Sequence, residues 1–265
     1  MGKARRKRVK KLDKNERIRK FPRFDFLLII IIGLVIATIA TLYIGINLTS
    51  NPSTNTSYES ELKAAIIDSL YIMDPNQDFL IKANQALSNS GFKVDMYVGD
   101  DVTVELFRVL PSLGYKLIIL RAHTAYEPNL VAFFTGTYAD SEYFTEQIMG
   151  WVRIGKVEGK RFYAVTPSLI EEATGYAKFH GSIIIVDSCY GLNSTSMAKA
   201  FIHKGASAYI AWDKGVYSNY SDYATLELIN HLLNGKTVEQ AVSLTTKDPD
   251  FGSVLSYYGN GNARI

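Results

Sequence analysis

The sequence predicts an α/β domain built on one mostly parallel β-sheet, and three observations predict it. Near-continuous apolar runs stand at Tyr115–Ala122 (YKLIILRA) and Gly181–Asp187 (GSIIIVD), the pattern of strands covered on both faces. Segments with the spacing of amphipathic helices alternate with such strands, and Gly91 and Gly114 close the first two. The chain has 265 residues, 47% of them hydrophobic, which suffices for the core of one medium domain plus an appendage. The single cysteine, Cys189, excludes a disulfide scaffold and zinc sites built on paired cysteines.

Taken in order, Ala64–Ser69 (AAIIDS) is a short apolar strand. Gln77–Ser90 follows as a helix, with Phe79, Leu80, Ala83, Ala86 and Leu87 at helical spacing. Phe92–Val98 alternates like a strand, and Val102–Leu113 is a second helix. The buried strand Tyr115–Ala122 comes next. Val131–Thr137, Gln147–Ile154 and Arg161–Val165 read as strands, the last two joined through Gly155–Lys160 as an antiparallel hairpin inserted into the α/β pattern. Pro167–Thr174 reads as a short helix, with Thr166 as its cap and Pro167 at the first helical position. After Gly181–Asp187, the pattern gives a helix at Ser194–Lys204 and a strand at Ala206–Trp212. Helices at Asp222–Leu233 and Thr237–Leu244 and a closing strand at Val254–Tyr258 complete it. No internal repeat is visible.

Charge divides the chain. Residues 1–25 hold 12 Lys/Arg against 3 Asp/Glu, whereas the remainder holds 17 against 23. A nucleic-acid binder carries its basic charge on the folded domain, and here that domain is acidic, so no nucleic-acid partner is expected. Residues 26–46 (FLLIIIIGLVIATIATLYIGI) are 21 positions without a charged side chain. As a helix rising about 1.5 Å per residue, they match the hydrocarbon core of a bilayer. The basic head before them keeps the N-terminus cytoplasmic and touches anionic lipids, which makes residues 47–265 the extracytoplasmic part of a single-pass protein of the cell membrane. A cleaved signal peptide fits less well, because the apolar run is long and Tyr43–Leu48 offers no small-x-small site. The expected organisation is therefore a tail (1–25), a transmembrane helix (26–46), a Ser/Thr/Asn-rich stalk (47–60) and the α/β domain (61–265). Asn47 and Asn55 in the stalk lie in Asn-x-Ser/Thr sequons and are candidate glycosylation sites, a pattern shared by Asn193 and Asn219.

In open parallel sheets, reactive groups collect beyond the carboxyl ends of the strands. Tyr115–Ala122 delivers His123 there, and Ser182–Asp187 delivers Ser188 and Cys189. A histidine beside a cysteine takes the thiol proton and later protonates a leaving amine. Singly, each has a plainer reading: a free cysteine usually packs, and a strand-end histidine is often only satisfied in place. Their shared pole is what joins them. The other histidines fit worse. His180 lies at the opposite end of the strand that carries Cys189, and His203 and His231 fall in helices.

These residues resemble the caspase-like cysteine peptidases, particularly the clostripain and gingipain branch. The resemblance rests on LIILRAH (Leu117–His123), IIIVDSCYG (Ile183–Gly191), AYIAWD (Ala208–Asp213) and the ending SYYGNGNARI, and it covers about residues 61–265. It implies a three-layer sandwich and a membrane-anchored cysteine endopeptidase acting on peptide or protein substrates, with neither metal nor cofactor. Carried over by position, Cys189 is similar to the nucleophile and His123 to the acid/base. The backbone N–H groups of Cys189 and Thr124 stand where the family holds its oxyanion. Asp187 and Asp213 match acidic positions lining the pocket for the residue before the cut, which implies cleavage after Arg or Lys. As plainer readings, Asp187 is a capping or turn carboxylate and Asp213 a turn residue. The family commonly has glycine after its histidine, whereas Thr124 stands here. The rival expectation is a catalytically inactive caspase-like module, tethered to a membrane and binding a peptide or partner at the same cleft.

Overall fold

The computed structural model of the protein describes residues 31–39, 41, 62–140 and 142–265. The chain divides into two compact units, Met1–Glu59 and Ser60–Ile265. In the first unit, residues 31–39 and 41 are helical and exposed. The remainder of the expected span 26–46 lies outside the described residues, as do the tail 1–25 and the stalk with Asn47 and Asn55. Among the described residues, no helix is long and apolar enough to cross a membrane.

The second unit is α/β with a mostly parallel central sheet. Its six strands are β1 (Lys63–Asp68), β2 (Lys93–Val98), β3 (Leu117–Arg121), β8 (Ile183–Asp187), β9 (Ala208–Trp212) and β10 (Leu255–Gly259). They lie in the order β10-β9-β8-β3-β1-β2. All neighbours are parallel except β10, which runs antiparallel to β9. Every residue of β3, β8 and β9 is buried, as continuous apolar runs require when helices or a second sheet cover both faces.

One face of the sheet presents Ile66, Ile119, Ile185 and Ile210 to the helices α1 (Gln77–Asn89), α5 (Ser218–Leu233) and α6 (Val238–Leu244). The opposite face presents Ile67, Ile118, Leu120, Ile184 and Val186 to α2 (Val104–Val109), α4 (Ser196–His203) and a second sheet. Each fully buried aliphatic side chain of this kind contributes about 1.5–3 kcal/mol. The helix α1 begins where the Asn76 side chain accepts from the Phe79 N–H, and Thr103 caps α2 by accepting from the Leu106 N–H.

The middle region is larger than the expected hairpin. Strands β4 (Thr124–Glu127), β5 (Leu130–Tyr138), β6 (Val152–Val157) and β7 (Lys160–Val165) form a four-stranded antiparallel sheet in the order β4-β5-β7-β6. Residues expected as one strand over 147–154 divide between the end of helix α3 (Phe144–Ile148), a turn at Gly150, and β6. The apolar side chains Phe144, Ile148 and Met149 are exposed there, so no inward periodicity marks the helix. Two further readings change. The expected helix 102–113 is α2 followed by a 3-10 turn at Leu110–Ser112, because Pro111 has no N–H to continue the ladder. The expected helix 167–174 contains a π-helical turn at Leu169–Ala173, and Thr166 does not cap it. Its hydroxyl instead donates to the carbonyls of Gly150 (2.7 Å) and Trp151 (3.0 Å).

Candidate active site

Strands β1, β3 and β8 end level. Asp68 is in register with Arg121, and Arg121 with Asp187. Residues in one row of a parallel sheet point to the same face. The row therefore sets Asp68, Arg121 and Asp187 side by side on the face covered by α1 and α5. His123 and Cys189 each follow two residues beyond the Arg121–Asp187 pair, so the two chains leave the sheet together.

Arg121 is 1% exposed and is held on all sides. Its Nε and Nη2 donate to Asp222 Oδ1 and Oδ2 on α5 at 2.6 and 3.0 Å. Its Nη1 donates to both carboxylate oxygens of Asp68, at 3.2 and 3.3 Å, and to the Asp74 carbonyl at 2.9 Å. Asn76 Nδ2 adds a donor to Asp222 Oδ2 at 2.7 Å. A charge buried this deeply persists only when paired and hydrogen-bonded throughout. Burial raises the Asp68 carboxyl to about 6, against the opposing pull of Arg121.

Asp187 is differently placed. It is 3% exposed; Ser221 donates to its Oδ1, and Ser221 in turn accepts from Trp212 Nε1 at 3.0 Å. Among the described residues, no N–H or O–H donor reaches Asp187 Oδ2. Burial, then the neighbouring Asp222 carboxylate, pushes the Asp187 carboxyl well above the usual carboxylate range.

A cavity of about 410 Å³ opens at the Asp187 end of this row. Its lining includes His123, Ser188, Cys189, Asp187 and Ser221, with Leu70, Met73, Val216 and Tyr217 as apolar wall and Asp74, Glu158 and Ser218 as polar rim. Glu158 belongs to the β6–β7 turn, so the antiparallel sheet supplies part of the mouth. Cys189 is half-buried. Its thiol donates to the Val216 carbonyl at 3.1 Å and accepts from the Val216 N–H at 3.4 Å. His123, also half-buried, meets the edge of Phe134 at 6.3 Å between ring centres. Burial pushes its imidazole below the usual histidine range, partly opposed by Asp74 and Glu158.

The residue after Cys189 is the outlier of the loop. Tyr190 has φ 58°, a left-handed conformation that bulky residues rarely adopt. It is retained by its N–H donating to the Lys214 carbonyl at 2.9 Å and by stacking on Tyr126 at 4.0 Å. Such outliers collect at functional sites. Thr124 opens β4, and its hydroxyl is hydrogen-bonded to that of Ser188. This contact ties the strand after His123 to the turn that carries Cys189.

Comparison with models of known protein families and with curated proteins gives no match for this chain. The site therefore stands on its own residues. His123, Cys189 and Asp187 line one cavity. Asp213 is not among its lining residues: its carboxylate accepts from the Val254 N–H at 2.7 Å and from Ser253 Oγ at 3.3 Å, pinning the start of β10. His203 pairs with Glu171 at 2.9 Å, and His180 is exposed. Among the described residues, no group of three His, Cys, Asp or Glu side chains is arranged to hold a metal ion.

Sequence reasoning missed Arg121, Asp68 and Asp222. A signal for the first two was present, since each of three apolar strands ends in one charged residue: AAIID, LIILR and IIIVD. Asp222, brought in by α5 from 101 residues away along the chain, left no such mark.

Proposed function

We propose that this chain is a membrane-anchored cysteine endopeptidase of caspase-like fold, with residues 47–265 outside the cell membrane, cleaving after Arg or Lys. One observation carries the reading: His123, Cys189 and Asp187, from two strand ends, share a single open cavity. The parallel sheet with an antiparallel last strand, and helices and a second sheet on its faces, agrees with a caspase-like three-layer sandwich. Residues 26–46 are the anchor.

In this reading, His123 takes the Cys189 proton as the sulfur attacks the scissile carbonyl carbon. The oxyanion is held by the N–H groups of Cys189 and Thr124. The C–N bond then breaks, and the amine leaves with the proton from His123. Water cleaves the thioester and restores the thiol and the neutral imidazole. Because burial keeps His123 neutral, it is ready to accept at neutral pH. Asp187 in the cavity lining, with Asp74 and Glu158 at its rim, suits a basic side chain before the cut.

A second reading, a tethered module that binds a peptide without cutting it, is favoured by the thiol's two bonds to Val216, which engage the sulfur with the backbone. Hydrolysis of short fluorogenic peptides ending in Arg or Lys decides between them. The native protein cleaves them and Cys189→Ala does not. Hydrolysis retained by Cys189→Ala rejects the nucleophile. Tight peptide binding with no cleavage by the native protein establishes the module.

A further inference from the structure

The cavity lining leaves Asp213 out, and its bonds lead back to Cys189 by another route. Strand β9 ends at Trp212, and residues 213–217 cross to α5. This segment is fastened to the chain just before β10. The Asp213 N–H donates to the Val254 carbonyl at 3.1 Å, and Asp213 Oδ1 accepts from the Val254 N–H at 2.7 Å. Ser253 Oγ donates to the same Oδ1 at 3.3 Å and accepts from the Lys214 N–H at 3.2 Å. At the far end of the segment, the Tyr217 ring lies 4.8 Å from that of Phe251.

Between these fastenings sits Val216, 6% exposed and packed with Trp212 and Ala224. Its peptide groups engage the Cys189 thiol twice. The S–H donates to the Val216 carbonyl at 3.1 Å, and the Val216 N–H donates to the sulfur at 3.4 Å. A thiol has one proton to give. While the Val216 carbonyl accepts it, no base receives it, and the thiolate rather than the thiol is the nucleophile. We propose that Asp213 is a positioning residue that acts on Cys189 through Val216. By pinning residues 213–217 to Ser253 and Val254, it keeps a main-chain latch closed on the thiol and makes the sulfur slow to react.

This role differs chemically from that of a pocket carboxylate. A pocket for a basic side chain uses the charge of Asp213, whereas the latch uses its accepting oxygen, which an amide also supplies. Asp213→Asn keeps that oxygen and loses the charge, and Asp213→Ala loses both. The latch rests on the endopeptidase reading only in its consequence, that opening it speeds peptide hydrolysis. The reactivity of the thiol tests it without that reading.

Cys189 is the single cysteine, so alkylation of the full chain by iodoacetamide reports on it alone. Asp213→Ala is expected to react about tenfold faster than the native protein, and Asp213→Asn to stay within about threefold of it, because only the first removes the acceptor. Phe251→Ala, which takes the ring partner from Tyr217 at an exposed position, is expected to react about threefold faster. It carries the same test if Asp213→Ala does not fold. Local opening of the latch leaves the rate nearly flat in dilute urea, whereas general unfolding makes it climb steeply. Alkylation no faster than native in the deciding variant overturns the latch, as does acceleration that climbs steeply with urea. Asp213→Asn reacting as fast as Asp213→Ala overturns it too. Faster alkylation, with no hydrolysis of basic peptides by the native protein or the variants, keeps the latch and rejects the peptidase reading. Hydrolysis by the native protein, with alkylation unchanged in the variants, does the reverse.

Discussion

At the scale of single residues, burial sets the protonation of the site. It holds the His123 imidazole below its usual range, so the base is already neutral at pH 7. The acid limb of kcat/KM is therefore expected below pH 6.5, because protonation that removes the base begins only there. A rate still climbing between pH 7 and 8 would contradict this assignment. Asp187 moves the other way. Its folded value lies well above the unfolded value near 3.8. The stability this contributes is complete below about pH 3.8 and is lost as pH rises through the folded value, at about 1.4 kcal/mol per pH unit of separation. Asp187→Asn has no proton to lose. Urea midpoints of native and variant chains should therefore shift in the variant's favour as pH rises from 4 to 8. A difference that is flat with pH would mean that Asp187 is ionised in the fold.

At the scale of elements, β5 and the 3-10 turn after β2 are held in close backbone contact. A Cβ on Gly136 in β5 would lie 1.8 Å from the Gly99 carbonyl oxygen, in the 3-10 turn after β2. Gly136→Ala is expected to destabilise the domain by about 1–3 kcal/mol through forced backbone shifts. A thermal midpoint unchanged from the native protein would show that β5 and this turn are free to separate. The elements themselves were legible to different degrees. Strands β3, β8 and β9 were readable because burial on both faces writes an unbroken apolar run. Strand β4 (TAYE) was not, since it is short and half exposed, and α3 was not, since Phe144 and Ile148 point outward. The pairing of His123 with Cys189 at one pole followed from strand order and polarity. Arg121 and its cage did not, because Asp222 arrives from a distant helix and because a charged residue at a strand end usually reads as a solvated cap.

Across the whole α/β domain, one buried guanidinium links β1, β3, α5 and the loop before α1 through Asp68, Asp222 and Asp74. Asp187, in register beside Arg121, lines the cavity with His123 and Cys189, so the charged row borders the candidate site. Removing one partner of such a pair generally costs about 3–5 kcal/mol, because the remaining charge is left buried and unpaired. The most direct test treats the full chain with a lysyl chloromethylketone and locates the adduct by mass spectrometry. The account predicts a single adduct on Cys189 in the native protein, slowed by Asp187→Asn and abolished by His123→Ala. Cys189 left unmodified, or alkylated equally fast in all three proteins, would contradict it.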